Sequence, residues 1–172
     1  MILFKSLSRL GVLLCCSWGL LFLTACETDP CENLNCDKGV CDAISGECLC
    51  SRGYRTNEDG ICTLTWTDQY AATYSVYDSC KGPNAGIQTY NSDLVATAPD
   101  ALRWDNYGNT GRSLLLVQPT SSTIAINIQS NDTLFTGIGN WQATDTSLTL
   151  EYQIADTTNQ RIDTCFATFT RL

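Results

Sequence analysis

From Tyr70 onward, apolar and polar residues alternate in short runs. In Thr146 to Asp156, Leu148, Leu150, Tyr152 and Ile154 fall on one side of an extended chain, and Thr149, Glu151 and Gln153 fall on the other. A strand with one buried face requires that alternation. Thr123 to Gln129 repeats it with Ile124, Ile126 and Ile128. Tyr70 to Asp78, Gly86 to Val95, Ser113 to Gln118, Thr133 to Gly137 and Arg161 to Thr170 read as further strands. Turn-forming clusters separate them: Lys81-Gly82-Pro83-Asn84, Ala98-Pro99-Asp100, Tyr107-Gly108-Asn109, Pro119, Gly137-Ile138-Gly139-Asn140 and Asp156-Thr157-Thr158-Asn159. No segment here has a helical period. Seven or eight short strands so spaced predict a mostly β fold, either an antiparallel up-and-down barrel or a sandwich.

Cys80 and Cys165 bear on that choice. Cys80 lies at the end of the first predicted strand and Cys165 lies in the last. If they pair, the first and last strands are neighbours, which is the closure an up-and-down barrel needs. The pairing favours the barrel, with the sandwich as the alternative.

Residues 31–62 have a different composition. Six cysteines are spaced Cys31-x4-Cys36-x4-Cys41-x6-Cys48-x-Cys50-x11-Cys62 in a polar stretch too short to bury a core, so crosslinks must substitute for one. Six cysteines allow fifteen pairings, and spacing alone does not choose among them. The run Cys48-Leu49-Cys50-Ser51-Arg52-Gly53-Tyr54, followed by Cys62, resembles the C-terminal half of an EGF-like domain, and the match extends over all six cysteines. The resemblance implies the pairs Cys31–Cys41, Cys36–Cys48 and Cys50–Cys62. Gly53 suits the turn because glycine tolerates positive φ, and Tyr54 is expected to pack on the small hairpin. Some relatives of this type hold calcium. The carboxylates available here are Glu27, Asp29 and Asp42, but Pro30 stands where the family has Glu or Gln, and Asp42 follows Cys41 directly. Calcium prefers several hard oxygens, so no metal and no cofactor is expected.

The amino-terminal stretch carries a targeting pattern. Lys5 and Arg9 precede an uncharged run from Leu10 to Ala25, as in a signal peptide, and Glu27 and Asp29 follow where a membrane span would have basic residues. Leu23-Thr24-Ala25-Cys26 resembles the lipobox of bacterial lipoproteins. Cleavage before Cys26 and acylation of its thiol are implied, and each buried methylene of a palmitate-type chain adds about 0.8 kcal/mol of membrane affinity. The resemblance divides the chain into a signal at 1–25, a lipidated tether at 26–30, an EGF-like domain at 31–62 and a β domain at 66–172. Because Glu27 follows the acylated cysteine, the usual sorting of such lipoproteins implies the outer membrane.

Charge and chemistry narrow the function. All 18 acidic residues and 8 of the 10 basic ones lie after residue 25, a balance of −10. So acidic a chain without a basic patch argues against nucleic acid and against direct attraction to anionic lipid. The eight cysteines other than Cys26 in this part form an even set, which reads as disulfides in an oxidising compartment. No histidine is present, so neither a Ser-His-Asp nor a Cys-His arrangement can form, and no glycine-rich loop leads into a helix to cradle phosphate. Asp100 and Asp105, flanking Arg103 and Trp104, are the most suggestive carboxylate pair for glycoside hydrolysis. The simpler reading is a solvated loop around a buried Trp. Tyr90, Trp104, Tyr107 and Trp141 read as core or as covers of a barrel end rather than as sugar-stacking rings. Asn131-Asp132-Thr133 matches a glycosylation acceptor that a bacterial lipoprotein would not use.

A β barrel that begins near Trp66 and Tyr70 and has Arg171 in its last strand resembles the lipocalin or calycin group. It resembles more loosely the small lipocalin-like domains that follow EGF-like modules in bacterial surface lipoproteins. The Gly-x-Trp start of lipocalins is missing, since Leu64-Thr65 precedes Trp66. The expected function is a non-catalytic interaction or binding module tethered through Cys26, with an unidentified protein or glycan partner. The alternative is a carrier of a small apolar ligand inside the barrel, which requires that Ile124, Ile126, Ile128, Leu148, Leu150 and Tyr152 leave room between them.

Overall fold

The structure is a computed structural model that describes residues 29–142 and 147–172. The signal segment 1–25, Cys26 and Glu27 lie outside the described residues.

The six-cysteine stretch folds as two small antiparallel hairpins. β1 (Gly39–Cys41) pairs with β2 (Cys48–Cys50), and β3 (Tyr54–Thr56) pairs with β4 (Cys62–Thr65). Disulfides join Cys31 to Cys41, Cys36 to Cys48 and Cys50 to Cys62. Cys36 and Cys62 are the buried hydrophobic residues of this unit, so crosslinks stand in for a core. Asp29 and Asp42 are spent on local turns. The Asp29 carboxylate accepts the Cys31 N–H, and that of Asp42 accepts the Ile44 N–H and the Ser45 hydroxyl.

A closed eight-stranded antiparallel barrel follows, formed by β5 (Ala72–Lys81), β6 (Gly86–Ala98), β7 (Ala101–Tyr107), β8 (Arg112–Thr120), β9 (Thr123–Ser130), β10 (Thr133–Gln142), β11 (Ser147–Asp156) and β12 (Arg161–Arg171). Each strand pairs with the next, and β12 returns to pair with β5. Cys165 stands directly opposite Cys80 in that last ladder, and a disulfide joins them. Together the four disulfides indicate an oxidising, extracytoplasmic environment. Among the described residues no helix is long and apolar enough to cross a membrane.

Two expectations need correction. The stretch around Arg103 and Trp104 is not a loop but β7. Its charged residues sit two apart on the outer face, where Arg103 and Asp105 form an ion pair, while Leu102 and Trp104 point inward and are fully buried. The alternation breaks at Asn106, whose φ of 57° marks a bulge that turns Tyr107 back into the interior. The cluster Gly137-Ile138-Gly139-Asn140 is not a turn but lies inside β10. At Gly137 an added Cβ would come within 2.6 Å of the Glu151 carbonyl oxygen and the Tyr152 Cβ. At Gly139 it would come within 2.6 Å of the Thr149 carbonyl oxygen and 3.0 Å of Leu150 Cδ1. The glycines serve close packing rather than chain reversal.

The middle of the barrel is filled. Trp104 meets the rings of Tyr152 and Phe169 edge-on, at centroid separations of 5.7 and 5.0 Å. Val76, Leu94, Leu102, Leu116, Ile124 and Leu150 close around them. Of the inward residues named for a ligand chamber, all are buried except Ile128, which is half-buried near one end.

The six-cysteine unit abuts one end of the barrel. Gly53, at φ 87°, lies so close to the β6–β7 turn that a Cβ would meet that of Pro99 at 2.9 Å. Arg52 forms an ion pair with Asp100 (2.9 Å), and the Trp66 indole N–H donates to the Tyr54 carbonyl (2.9 Å). A single 3-10 turn, Thr67–Gln69, then leads into β5, with the Thr67 hydroxyl donating to the Ala98 carbonyl.

Replacing Cys80 and Cys165 together by Ala releases a crosslink spanning 85 residues. The chain-entropy estimate for such a loop is about 4.5 kcal/mol. Urea unfolding without reductant is expected to show a loss of that order, and an unchanged midpoint would contradict the role given to the bond. Gly139→Ala is expected to cost about 1–3 kcal/mol by overpacking, measured the same way.

Candidate binding sites at the barrel ends

Two of the cavities at the strand ends are of opposite character. The first lies where the six-cysteine unit meets the barrel and measures about 530 Å³. Its walls come from β3 (Arg55), the residues flanking the 3-10 turn (Trp66, Tyr70), β5 (Tyr74), the β8–β9 turn (Ser121, Ser122), β10 (Trp141) and β12 (Arg171). Tyr70 lies flat on Trp141, with centroids 3.8 Å apart and planes 5° from parallel. Its hydroxyl donates to the Ser121 carbonyl (2.8 Å), and that of Tyr74 donates to the Tyr70 carbonyl (2.9 Å). Burial pushes both phenols above their ordinary pKa. The Arg171 guanidinium crosses the seam and donates to the carbonyls of Gln69 (3.2 Å) and Ala71 (3.5 Å).

Two donors on this wall lack acceptors. The Trp141 indole nitrogen and the Arg55 Nε are buried without a hydrogen-bond partner, although Trp141 is only 8% exposed. A buried donor left unpaired costs about 1–3 kcal/mol. The site therefore offers stacked aromatic surface and two guanidiniums, a combination suited to a ligand with a flat face and anionic oxygens.

The second cavity lies at the opposite end and measures about 230 Å³. Asp78 of β5 is its buried centre. One oxygen, Oδ2, accepts the hydroxyls of Tyr152 (2.7 Å) and Tyr90 (3.2 Å), and the Tyr90 oxygen in turn accepts the Gly108 N–H (2.7 Å). The other, Oδ1, faces the Cys80 sulfur at 3.9 Å, which as part of a disulfide has no hydrogen to donate. Burial raises the Asp78 carboxyl above the usual carboxylate value, although the Tyr152 and Tyr90 hydrogen bonds oppose the shift. Burial first, and the charge of Asp78 second, hold the phenols of Tyr152 and Tyr90 far above their ordinary value. Asp163 of β12 shares the cavity and has both oxygens engaged by Asn84, through its backbone N–H (2.9 Å) and its side-chain amide (2.8 Å).

The carboxylates singled out from the sequence do not come together. Asp100 and Asp105 stand five residues apart along β7 and the turn before it, roughly 16 Å at the rise of an extended strand. That is well beyond the spacing of a hydrolytic pair. Asp100 is taken by Arg52. Asp105 accepts from Arg103 (2.7 and 2.9 Å) and from the Ser113 hydroxyl (2.6 Å), bonds that hold its carboxyl below the usual range. Tyr90, Trp104, Tyr107 and Trp141 are all buried, and Trp141 also faces the first cavity. Asp78 and Asp163 were not among the expected site residues. Each sits in register with inward apolar residues, Tyr74 and Val76 on one strand and Cys165, Ala167 and Phe169 on the other. An acid on a buried face was the available signal. Arg55 gave none, because the other walls of its cavity come from the barrel.

No protein-family profile matches the chain, and no curated protein matches it in sequence. Solved structures that resemble it include EF1p2_mFAP2b bound to DFHBI (10% identity, 62% of this chain and 96% of that one, TM-score 0.43). A Bacteroides ovatus protein of unknown function is similar over 59% of this chain and 41% of its own (9% identity, TM-score 0.43). A redesigned β barrel is similar over 64% and 97% (11% identity, TM-score 0.43).

Asp78 carries a pH signature. Its folded-state pKa exceeds the unfolded value of 3.8, so the folded protein holds the proton more tightly and this group lowers stability as pH rises through that window. Asp78→Asn carries no such penalty. Its stability relative to wild type is expected to improve between pH 3 and pH 7 in urea unfolding, and a difference independent of pH would refute the assignment.

Proposed function

We propose that the protein is a lipid-anchored extracytoplasmic lipoprotein whose EGF-like unit and lipocalin-like barrel form one non-catalytic binding module. In this reading Cys26 holds the protein in the bilayer, in the outer membrane by the usual sorting. The EGF-like unit both spaces the barrel from the surface and completes a ligand site at the barrel end. The observation that carries the proposal is the cavity of about 530 Å³ walled by Arg55 from one unit and Tyr70, Trp141 and Arg171 from the other. Its two guanidiniums, from Arg55 and Arg171, favour a ligand that brings anionic oxygens. An acidic sugar, as the terminal unit of a glycan, combines a stacking face with a carboxylate that arginine recognises. The packed interior favours this end site over an apolar ligand carried in the middle of the barrel.

Tryptophan fluorescence titration with glucuronate-terminated oligosaccharides tests the proposal on residues 26–172 carrying Cys26→Ser. Saturable binding is expected. Arg55→Ala is expected to weaken it by about tenfold, equivalent to about 1.4 kcal/mol. Absence of binding to acidic and neutral glycans alike would remove the glycan reading. The anchor is tested separately by expressing the full chain in a bacterial host. Wild type should incorporate radiolabelled palmitate and fractionate with membranes, whereas Cys26→Ser should do neither.

A further inference from the structure

We propose that the cavity at the other barrel end is a binding site for a small organic ammonium ion, with the Asp78 carboxylate as its counter-ion. A carboxylate in a barrel core is expensive unless its oxygens are paired. Asp78 is 4% exposed, and its two tyrosine donors both serve Oδ2, while Oδ1 faces a disulfide sulfur. None of the residues lining the cavity is Lys or Arg. Lys81, the nearest base along β5, occupies an outward register position and is exposed. The second acid, Asp163, has Asn84 on both oxygens and supplies further negative potential without needing a partner itself.

The chemistry of the walls selects the cation. A hard metal ion needs several oxygen ligands drawn close together. Among the described residues the grouping of potential ligands at this place is Asp78, Cys80 and Cys165, and the two sulfurs are bonded to each other. That leaves one carboxylate, too few for a metal. An ammonium group needs less: one charge-assisted acceptor, further neutral acceptors and an aromatic face. The cavity is lined by Asp78, Gln88, Tyr107 and Tyr152, which between them carry a carboxylate, a neutral amide and two aromatic rings. Its volume of about 230 Å³ admits a short alkyl amine but not a large ligand. The site lies away from the arginine-lined end and does not depend on what binds there.

The test titrates residues 26–172 with Cys26→Ser, disulfides intact, with n-butylammonium chloride, using n-butanol as the neutral isostere and potassium chloride as the ionic control. The readout is the backbone amide resonances of Gly108, which donates to Tyr90, and of Asn84. Saturable shifts with n-butylammonium and none with butanol or potassium are expected. Asp78→Asn should weaken binding by at least about thirtyfold, the equivalent of about 2 kcal/mol for removing one partner of a buried charge pair. Gly86→Leu gives a second handle that leaves the carboxylate in place. Gly86 lines the cavity and an added Cβ there meets nothing within 4 Å, so the variant should fold and obstruct the ligand. The proposal is overturned by shifts of equal size with butanol, by no saturable shift with n-butylammonium, or by binding that survives Gly86→Leu.

Discussion

The ladder between β12 and β5 is the contact on which the rest of the molecule depends. Seven of the eight strand pairings join neighbours in sequence and could form in an open meander. The eighth must bring together segments 85 residues apart, and loop closure makes it the costly one. Cys80 and Cys165 stand opposite each other in it, so the disulfide fixes register as well as proximity. That register settles both ends. At one, Arg171 is carried back over the entry to β5, where it holds the carbonyls of Gln69 and Ala71. At the other, Asp78 on β5 and Asp163 on β12 are brought to the same cavity.

Closure also imposes a volume constraint. An eight-stranded barrel has an interior just wide enough for side chains to fill, and here Trp104, Tyr152 and Phe169 fill it. Room for rings of that size comes from small residues elsewhere, notably Gly137, Gly139 and Ala167. With the middle occupied, space for a ligand is left at the ends, where loops and the six-cysteine unit contribute walls. The Gly53–Pro99 approach and the Arg52–Asp100 pair give that unit a structural role at the barrel end.

The two cavities differ in sign although the chain as a whole is acidic. One gathers Arg55 and Arg171 around aromatic rings, and the other gathers two carboxylates around phenols. Net charge describes solubility and long-range attraction. It does not describe a buried site, whose potential is set by a few groups in a low dielectric.

Much of the architecture was legible in the residue pattern. Period-two alternation located seven strands within a few residues, because each buries one face and the pleat enforces the period. The position of Cys80 and Cys165 favoured a barrel over a sandwich. The pattern did not reveal β7, where an outward ion pair and a bulge imitate a loop, or the glycines of β10, whose reason is the side chain on the neighbouring strand. The sites were less legible than the fold. An acid in an inward register, as at Asp78, was a visible irregularity, but its meaning depends on Tyr90 and Tyr152 arriving from other strands. Local alternation and cysteine content thus determined the β class and the crosslinked leading segment, because those depend on near neighbours in sequence. The tertiary structure alone decided which side chains meet at the barrel ends, because closure brings together residues that no local pattern relates.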